Sequence, residues 1–218
     1  MRKRRIAQVK KSKRPGSKSG HDESASLVSL GILMTRIFPV LAVLDGLMLA
    51  VSFYLGVVSR LHDGVHNPSD QIFWYHFLLG LAAAILTLLV HCLIFTYFLG
   101  TGRWVKEVKL AYDLPDEPLP KLTRDLKRRV FPPALFAMLT AIATGMAGAA
   151  AQVQVWPWEV HATLSTLTLV TNIWAYWIEY DCLRTNVGVL RQVLSEVDRL
   201  RCARGLPPNA EALQQEKN

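Results

Sequence analysis

Four long apolar segments, separated by polar connections, make up most of the sequence. They cover residues 37–58, 73–99, 131–151 and 160–178. Within them, only Asp45 carries a formal charge. A helix needs about 20 mostly apolar residues to cross the hydrocarbon core of a bilayer. The pattern therefore predicts an all-α integral membrane protein in which residues 26–182 form a bundle of four transmembrane helices.

The polar connection 101–130 follows the second apolar segment. Its first part, GRWVKEVKLAY, extends the preceding helix, and the prolines of LPDEPLP then stop it. Leu122, Leu126 and Val130 recur at intervals of four and define one apolar face. We expect this second part to be an amphipathic helix on the membrane surface, with a plain connector as the alternative.

The segment after the fourth span also has a helical pattern. Leu183, Val187, Leu190, Leu194 and Val197 alternate in steps of four and three, as in a short coiled-coil seam. The pattern predicts a cytoplasmic helix over 183–203, packed against the 101–130 segment or a partner subunit. Gly205 and the prolines after it end this helix, and 204–218 reads as a polar tail.

Small residues recur along the third span. Ala137, Ala141, Gly145 and Ala149 fall at every fourth position, and small side chains allow close helix contacts in lipid. We therefore expect this helix to be the most tightly packed of the four. The alternative is that the same stripe faces a second copy of the protein in a homo-oligomer.

Charge fixes the predicted orientation. Of the 25 basic residues, nine lie in 1–20, eight in 101–130 and six after Asp181, whereas the opposite connections hold only Arg60. Because basic loops stay in the cytoplasm, both termini are predicted to be inside, in a bacterial cytoplasmic membrane. Residues 1–25 are predicted to be a disordered tail attracted to anionic headgroups. No aromatic residues are interleaved with the tail's basic residues, so a nucleic-acid partner is not expected.

Composition and motifs narrow the functional classes. Hydrophobic residues make up 51% of the chain and charged residues 19%, which excludes a soluble globular enzyme and a disordered protein. The three cysteines are Cys92, Cys182 and Cys202. None lies on the predicted outer side, so no disulfide is expected. The sequence contains no nucleotide-binding loop and no nucleophile–base signature, so enzymatic activity is not expected.

Four polar residues are predicted to share one layer inside the membrane. Asp45 and His91 each lie nine residues from the inner end of their span, about 13 Å deep at 1.5 Å per residue. Thr140 and Asn172 lie at similar depth. One hypothesis is a proton or ion site with Asp45 as acid and His91 as partner. The other is a structural clasp in which His91 donates to Asp45, and Thr140 and Asn172 complete the bonds.

Histidines concentrate on the predicted outer side. His76 and His161 open the second and fourth spans at similar depth, and His62 and His66 flank the first connection. His76 and His161 are candidate ligands of a b-type haem between helices. His62 and His66, at i and i+4, are candidate transition-metal ligands. The alternative is that these are ordinary hydrated interfacial histidines, and no motif requires a cofactor.

Three functions follow as hypotheses. The leading one is a non-enzymatic membrane scaffold, or an accessory subunit of a larger membrane complex, with a cytoplasmic partner-binding face. The second is a redox subunit with one haem or metal near the outer face. The third is a small proton-coupled transporter or sensor that uses Asp45 and His91.

Overall fold

The described part of the chain forms four long helices connected in an up-and-down order. The computed structural model describes residues 19–62 and 71–208, with side chains from residue 28 onward. The helices are α1 (Ser19–His62), α2 (Gln71–Tyr112), α3 (Leu119–Gln152) and α4 (Trp158–Ala203). α1 and α3 each pack against α2 and α4, and α2 meets α4 across the diagonal of the bundle.

The all-helical prediction is confirmed over the described residues. Three helices are long and apolar enough to cross a membrane: α1, α2 and α3. α4 is not among these three, because its apolar segment is interrupted by the hydroxyl and amide groups of Thr163, Ser165, Thr166, Thr168, Thr171 and Asn172. These findings support a multi-pass membrane protein.

All four helices are much longer than a bilayer crossing requires. They contain 44, 42, 34 and 46 residues, whereas about 20 are enough to cross the hydrocarbon core. The excess lies mainly at one end of the bundle, which carries the C-terminus of α2, the N-terminus of α3 and the basic residues of 101–130. We call this the basic end, and the other the opposite end.

Two boundaries in the structure differ from the predicted ones. The tail was expected to be disordered over 1–25, but residues 19–25 belong to α1. Residues 1–18 lie outside the described part of the chain. The predicted surface helix after LPDEPLP is the beginning of α3, which continues without a break through Pro132 and Pro133.

The basic end has its own apolar core. Trp104 and Val105 of α2 and Leu126 and Val130 of α3 are buried in one cluster with the α4 residues Leu183, Leu190 and Val193. Leu122 is exposed, so the face predicted from its spacing with Leu126 and Val130 is only partly buried. Burial of these side chains explains why α2 and α4 stay helical beyond their apolar segments.

The small-residue stripe of α3 is only half buried. Ala137 and Ala141 are buried, but Gly145 and Ala149 face outward. Four residues rotate an α-helix by about 400°, so each step drifts by about 40°. Over three steps the stripe leaves the interface, and Ala147 and Ala151 take its place in the core.

α1 contacts the bundle through a narrow stripe at intervals of seven residues. Its buried members are Gly31, Phe38, Asp45, Ser52 and Ser59. A period of seven keeps one face towards neighbouring helices that cross at a small angle. Phe38 is the one large apolar side chain in this stripe, and its ring packs edge-on against Tyr176 of α4 at 6.0 Å. The stripe places Asp45 inside the bundle.

Ion pairs to Asp116 stabilise the connection between α2 and α3. Asp116 accepts hydrogen bonds from Arg124 at 2.9 and 2.6 Å and from Lys109 at 2.6 Å. Arg124 first, and Lys109 second, hold the pKa of the Asp116 carboxyl well below its usual range. The contribution of this contact to stability is therefore present at neutral pH and is lost only as pH falls through that lowered pKa.

Candidate functional site

His91 lies at the centre of the bundle and contacts two polar residues of α4. Its Nδ1 is 2.6 Å from Glu179 Oε1, and its Nε2 is 2.9 Å from Asn172 Oδ1. All three side chains have no exposed surface. Asn172 and Glu179 are seven residues apart and therefore share one face of α4, so they hold opposite edges of the same imidazole ring.

Asp45 forms the second half of the site. Its Oδ2 accepts hydrogen bonds from the Thr87 hydroxyl at 2.8 Å and from the Tyr176 hydroxyl at 2.6 Å. The Asp45 side chain is fully buried. Tyr176 also stacks on the His91 ring, with centroids 5.1 Å apart and an interplanar angle of 20°. Tyr176 therefore joins the aspartate to the His91 contacts.

These residues form one buried cluster at the α1, α2 and α4 interfaces. We define the buried cluster as Asp45, Thr87, His91, Asn172, Tyr176 and Glu179. Two of its members are carboxylic acids and one is an imidazole, and these three, Asp45, Glu179 and His91, come from three different helices. Charged groups inside a bilayer are costly unless they have polar partners, which explains why each of these three side chains has a short contact to a polar neighbour.

The hydrogen bonds fix part of the protonation pattern. Asn172 Nδ2 donates to the Thr168 carbonyl at 2.8 Å, so the atom facing His91 is the amide oxygen. His91 Nε2 must therefore donate to it. The contact between His91 Nδ1 and Glu179 also requires one proton, held by either the imidazole or the carboxyl. Both arrangements give this pair the same net charge of zero.

The remaining charge in the cluster belongs to Asp45. With His91 and Glu179 neutral as a pair, an ionised Asp45 leaves the cluster with one negative charge. One additional proton on Asp45 neutralises it. Within the described residues, Asp45 Oδ1 and Glu179 Oε2 are buried without a hydrogen-bond partner. Both oxygens are therefore positions at which a proton can bind.

The structure brings together three of the four residues predicted for the polar layer. Asp45, His91 and Asn172 all belong to the buried cluster. Thr140 is at the α3–α4 interface, where its hydroxyl is 3.1 Å from that of Thr171. The predicted clasp had His91 donating to Asp45, whereas both His91 nitrogens contact α4 residues instead. The position of a residue along its helix determines its depth in the bundle, but its direction about the helix axis determines which residue it contacts.

Sequence reasoning missed three members of the cluster. Glu179 lies just beyond the fourth apolar segment, yet it is buried and contacts His91. The available signal was the spacing of Asn172, Tyr176 and Glu179 at i, i+4 and i+7 on α4. On α2, Thr87 and His91 are related in the same way, at i and i+4.

A smaller polar group lies nearer the basic end. Asn186 Nδ2 contacts the Tyr97 hydroxyl at 3.1 Å and the Thr101 hydroxyl at 3.2 Å, and all three residues are buried. Asn186 is seven residues after Glu179, on the same face of α4. Polar contacts between α2 and α4 therefore continue from the buried cluster into the basic end.

The two histidines predicted near the outer face do meet. The rings of His76 and His161 have centroids 6.0 Å apart, at the opposite end of the bundle from the basic end. His62 is the exposed last residue of α1, and His66 lies outside the described residues. Within the described part of the chain, no three His, Cys, Asp or Glu side chains converge as metal ligands.

Comparison with known proteins adds no functional information. No family model matches the chain, and neither a curated protein nor a solved structure is significantly similar to it.

Proposed function

We propose that the protein is a non-enzymatic membrane scaffold whose conformation responds to proton binding at the buried cluster. The observation that carries this proposal is the complete burial of Asp45, His91 and Glu179 in two hydrogen-bonded sets, which the stacking of Tyr176 on His91 joins. A structural clasp needs donors and acceptors, which threonine and asparagine supply without charge. Two carboxylates and an imidazole instead provide a site that exchanges a proton.

The proposal includes a fourth membrane crossing by α4. Support comes from an exposed apolar face formed by Leu167, Val170, Ile173, Trp174 and Trp177. Trp177 is 80% exposed, and such a face is stable against lipid but unfavourable in water. The opposite face of α4 carries the buried polar residues. Four crossings place both termini on one side, and the basic residues assign that side to the cytoplasm.

The route from the cluster to the cytoplasm is provided by α2 and α4. His91 and Glu179 lie on these two helices, which continue without a break to Tyr112 and Ala203. Protonation of Asp45 changes the charge beside the Tyr176 hydroxyl and the stacked His91 ring. We propose that this shifts the packing of α2 against α4 at the basic end, where 101–130 and 183–203 form the partner-binding face.

The test compares hydrogen exchange of the basic end at two pH values in lipid nanodiscs, after correction for intrinsic exchange rates. Wild-type protein is expected to show a pH-dependent change in the amides of 183–203, and Asp45→Asn is expected to abolish it. The matched control is Asp125→Asn, which removes an exposed acid at the basic end and should retain the response.

Two results would overturn the proposal. The first is an equal pH response in wild type and Asp45→Asn, which would make the cluster a structural clasp. The second is proton flux into proteoliposomes that depends on Asp45, which would identify a transporter and not a sensor.

A further inference from the structure

His76 and His161 form an unusual pair at the opposite end of the bundle, far from the buried cluster. They come from α2 and α4, the two helices on the bundle diagonal, and both are half-buried. Their ring centroids are 6.0 Å apart and their planes are inclined by 75°. Neither takes part in the proposed proton response, so this pair needs a separate explanation.

Each ring is fixed by a backbone carbonyl of a neighbouring helix. His76 Nδ1 is 2.8 Å from the Ser52 carbonyl oxygen of α1, and His161 Nδ1 is 3.0 Å from the Thr144 carbonyl oxygen of α3. A carbonyl only accepts, so both Nδ1 atoms carry the proton. In the neutral rings, Nε2 then has a free lone pair. Metal-binding histidines are oriented in this way by bonds at their other nitrogen.

Each ring also packs closely against a glycine of the neighbouring helix. A Cβ added at Gly56 would lie 2.8 Å from Cε1 of His76, and one at Gly148 would lie 2.9 Å from Cε1 of His161. In both cases the glycine is four residues after the residue whose carbonyl accepts the bond. The same arrangement therefore occurs twice. In each case one helix supplies a carbonyl and a glycine, and the next helix supplies the histidine whose ring they hold.

We propose that His76 and His161 bind one copper(I) ion through their Nε2 atoms. Metal–imidazole bonds of about 2.0–2.1 Å place two ring centroids about 6.3 Å apart when both nitrogens and the metal are collinear, but about 5 Å apart at a tetrahedral angle. The observed 6.0 Å is closer to the collinear value, and the proposal places the two Nε2 atoms facing each other across the pair. Copper(I) accepts two ligands in this geometry, whereas zinc sites in proteins are tetrahedral, and imidazole is a suitable ligand for copper.

The first test is copper(I) binding to the purified full-length protein in nanodiscs under reducing conditions, measured by competition with a chromophoric chelator. We expect one copper per chain, with X-ray absorption showing two nitrogen ligands. His76→Ala and His161→Ala should each reduce binding to background. Absence of binding in wild type, binding that survives either substitution, or a four-ligand spectrum would overturn the proposal.

The glycines provide a test that leaves both ligands in place. Gly148→Ala should displace the His161 ring and weaken copper binding about 10–100-fold, the usual effect of disturbing the support of a metal ligand. Gly145→Ala is the matched control, because a Cβ there meets nothing within 4 Å. Equal affinities in the two variants would contradict the site. Co-purified haem that is lost with either histidine would also overturn it, in favour of a haem iron.

Discussion

His91→Ala is expected to lower the free energy of unfolding by about 3–5 kcal/mol, the usual effect of removing one partner of a buried ion pair. The substitution removes the hydrogen-bond partner of Glu179 Oε1, and the other carboxylate oxygen of Glu179 has no partner among the described residues. It also removes the donor to Asn172 and the ring that stacks on Tyr176. Unfolding in mixed micelles, monitored by helicity, measures the loss.

A double-mutant cycle separates the interaction energy between His91 and Glu179 from the other destabilising effects of each substitution. Adding Glu179→Ala to His91→Ala removes the unpaired carboxyl, so the loss in the double variant should be at least about 1 kcal/mol smaller than the sum of the two single losses. His62→Ala is the control, because His62 is exposed at the end of α1 and its loss should change stability by less than about 0.5 kcal/mol. Strict additivity of the His91 and Glu179 variants would show that the two residues do not interact.

Trp104→Ala is expected to have a similarly large effect, but at the basic end. The Trp104 side chain is 5% exposed and belongs to the core formed with Leu126, Leu190 and Val193. Truncating a buried tryptophan to alanine costs about 3–5 kcal/mol through lost burial and the cavity that remains. Hydrogen exchange should locate the loss of protection in residues 183–203, with the membrane segments less affected.

The matched control for this variant lies on the same helix. Leu110 is 72% exposed, and Leu110→Ala should change the free energy of unfolding by less than about 0.5 kcal/mol. If the two substitutions cost the same, the helices at the basic end are not packed against each other in the membrane-embedded protein. The proposed route from the buried cluster to the cytoplasmic face would then lack its mechanical basis.

Much of the architecture could be predicted from apolar segment length alone. The four segments coincide with parts of the four helices, because a bilayer-length apolar run has few alternatives to a helix. The helix ends could not be predicted in this way. Residues 101–112 and 183–203 stay helical because of tertiary burial at the basic end, and the prolines at 132 and 133 did not mark a boundary.

The sequence predicted how deep the residues of the candidate site lie along their helices, but not which neighbouring helix each of them faces. Counting residues placed Asp45, His91 and Asn172 in one layer, and they do meet. The same count included Thr140, which faces Thr171, and excluded Glu179, which contacts His91. Successive residues of a helix are rotated by about 100° about its axis, so residues at similar depth can face different neighbouring helices. The length of an apolar segment does not show which way each residue faces.

The most direct test of the central claim is infrared difference spectroscopy of the lipid-embedded protein during a pH titration. Wild type should gain the band of one carboxylic acid in apolar surroundings on acidification, and Asp45→Asn should lack it. Asp125→Asn should retain the band, because Asp125 is exposed. The absence of such a band in wild type, or its persistence in Asp45→Asn, would contradict an exchangeable proton on Asp45.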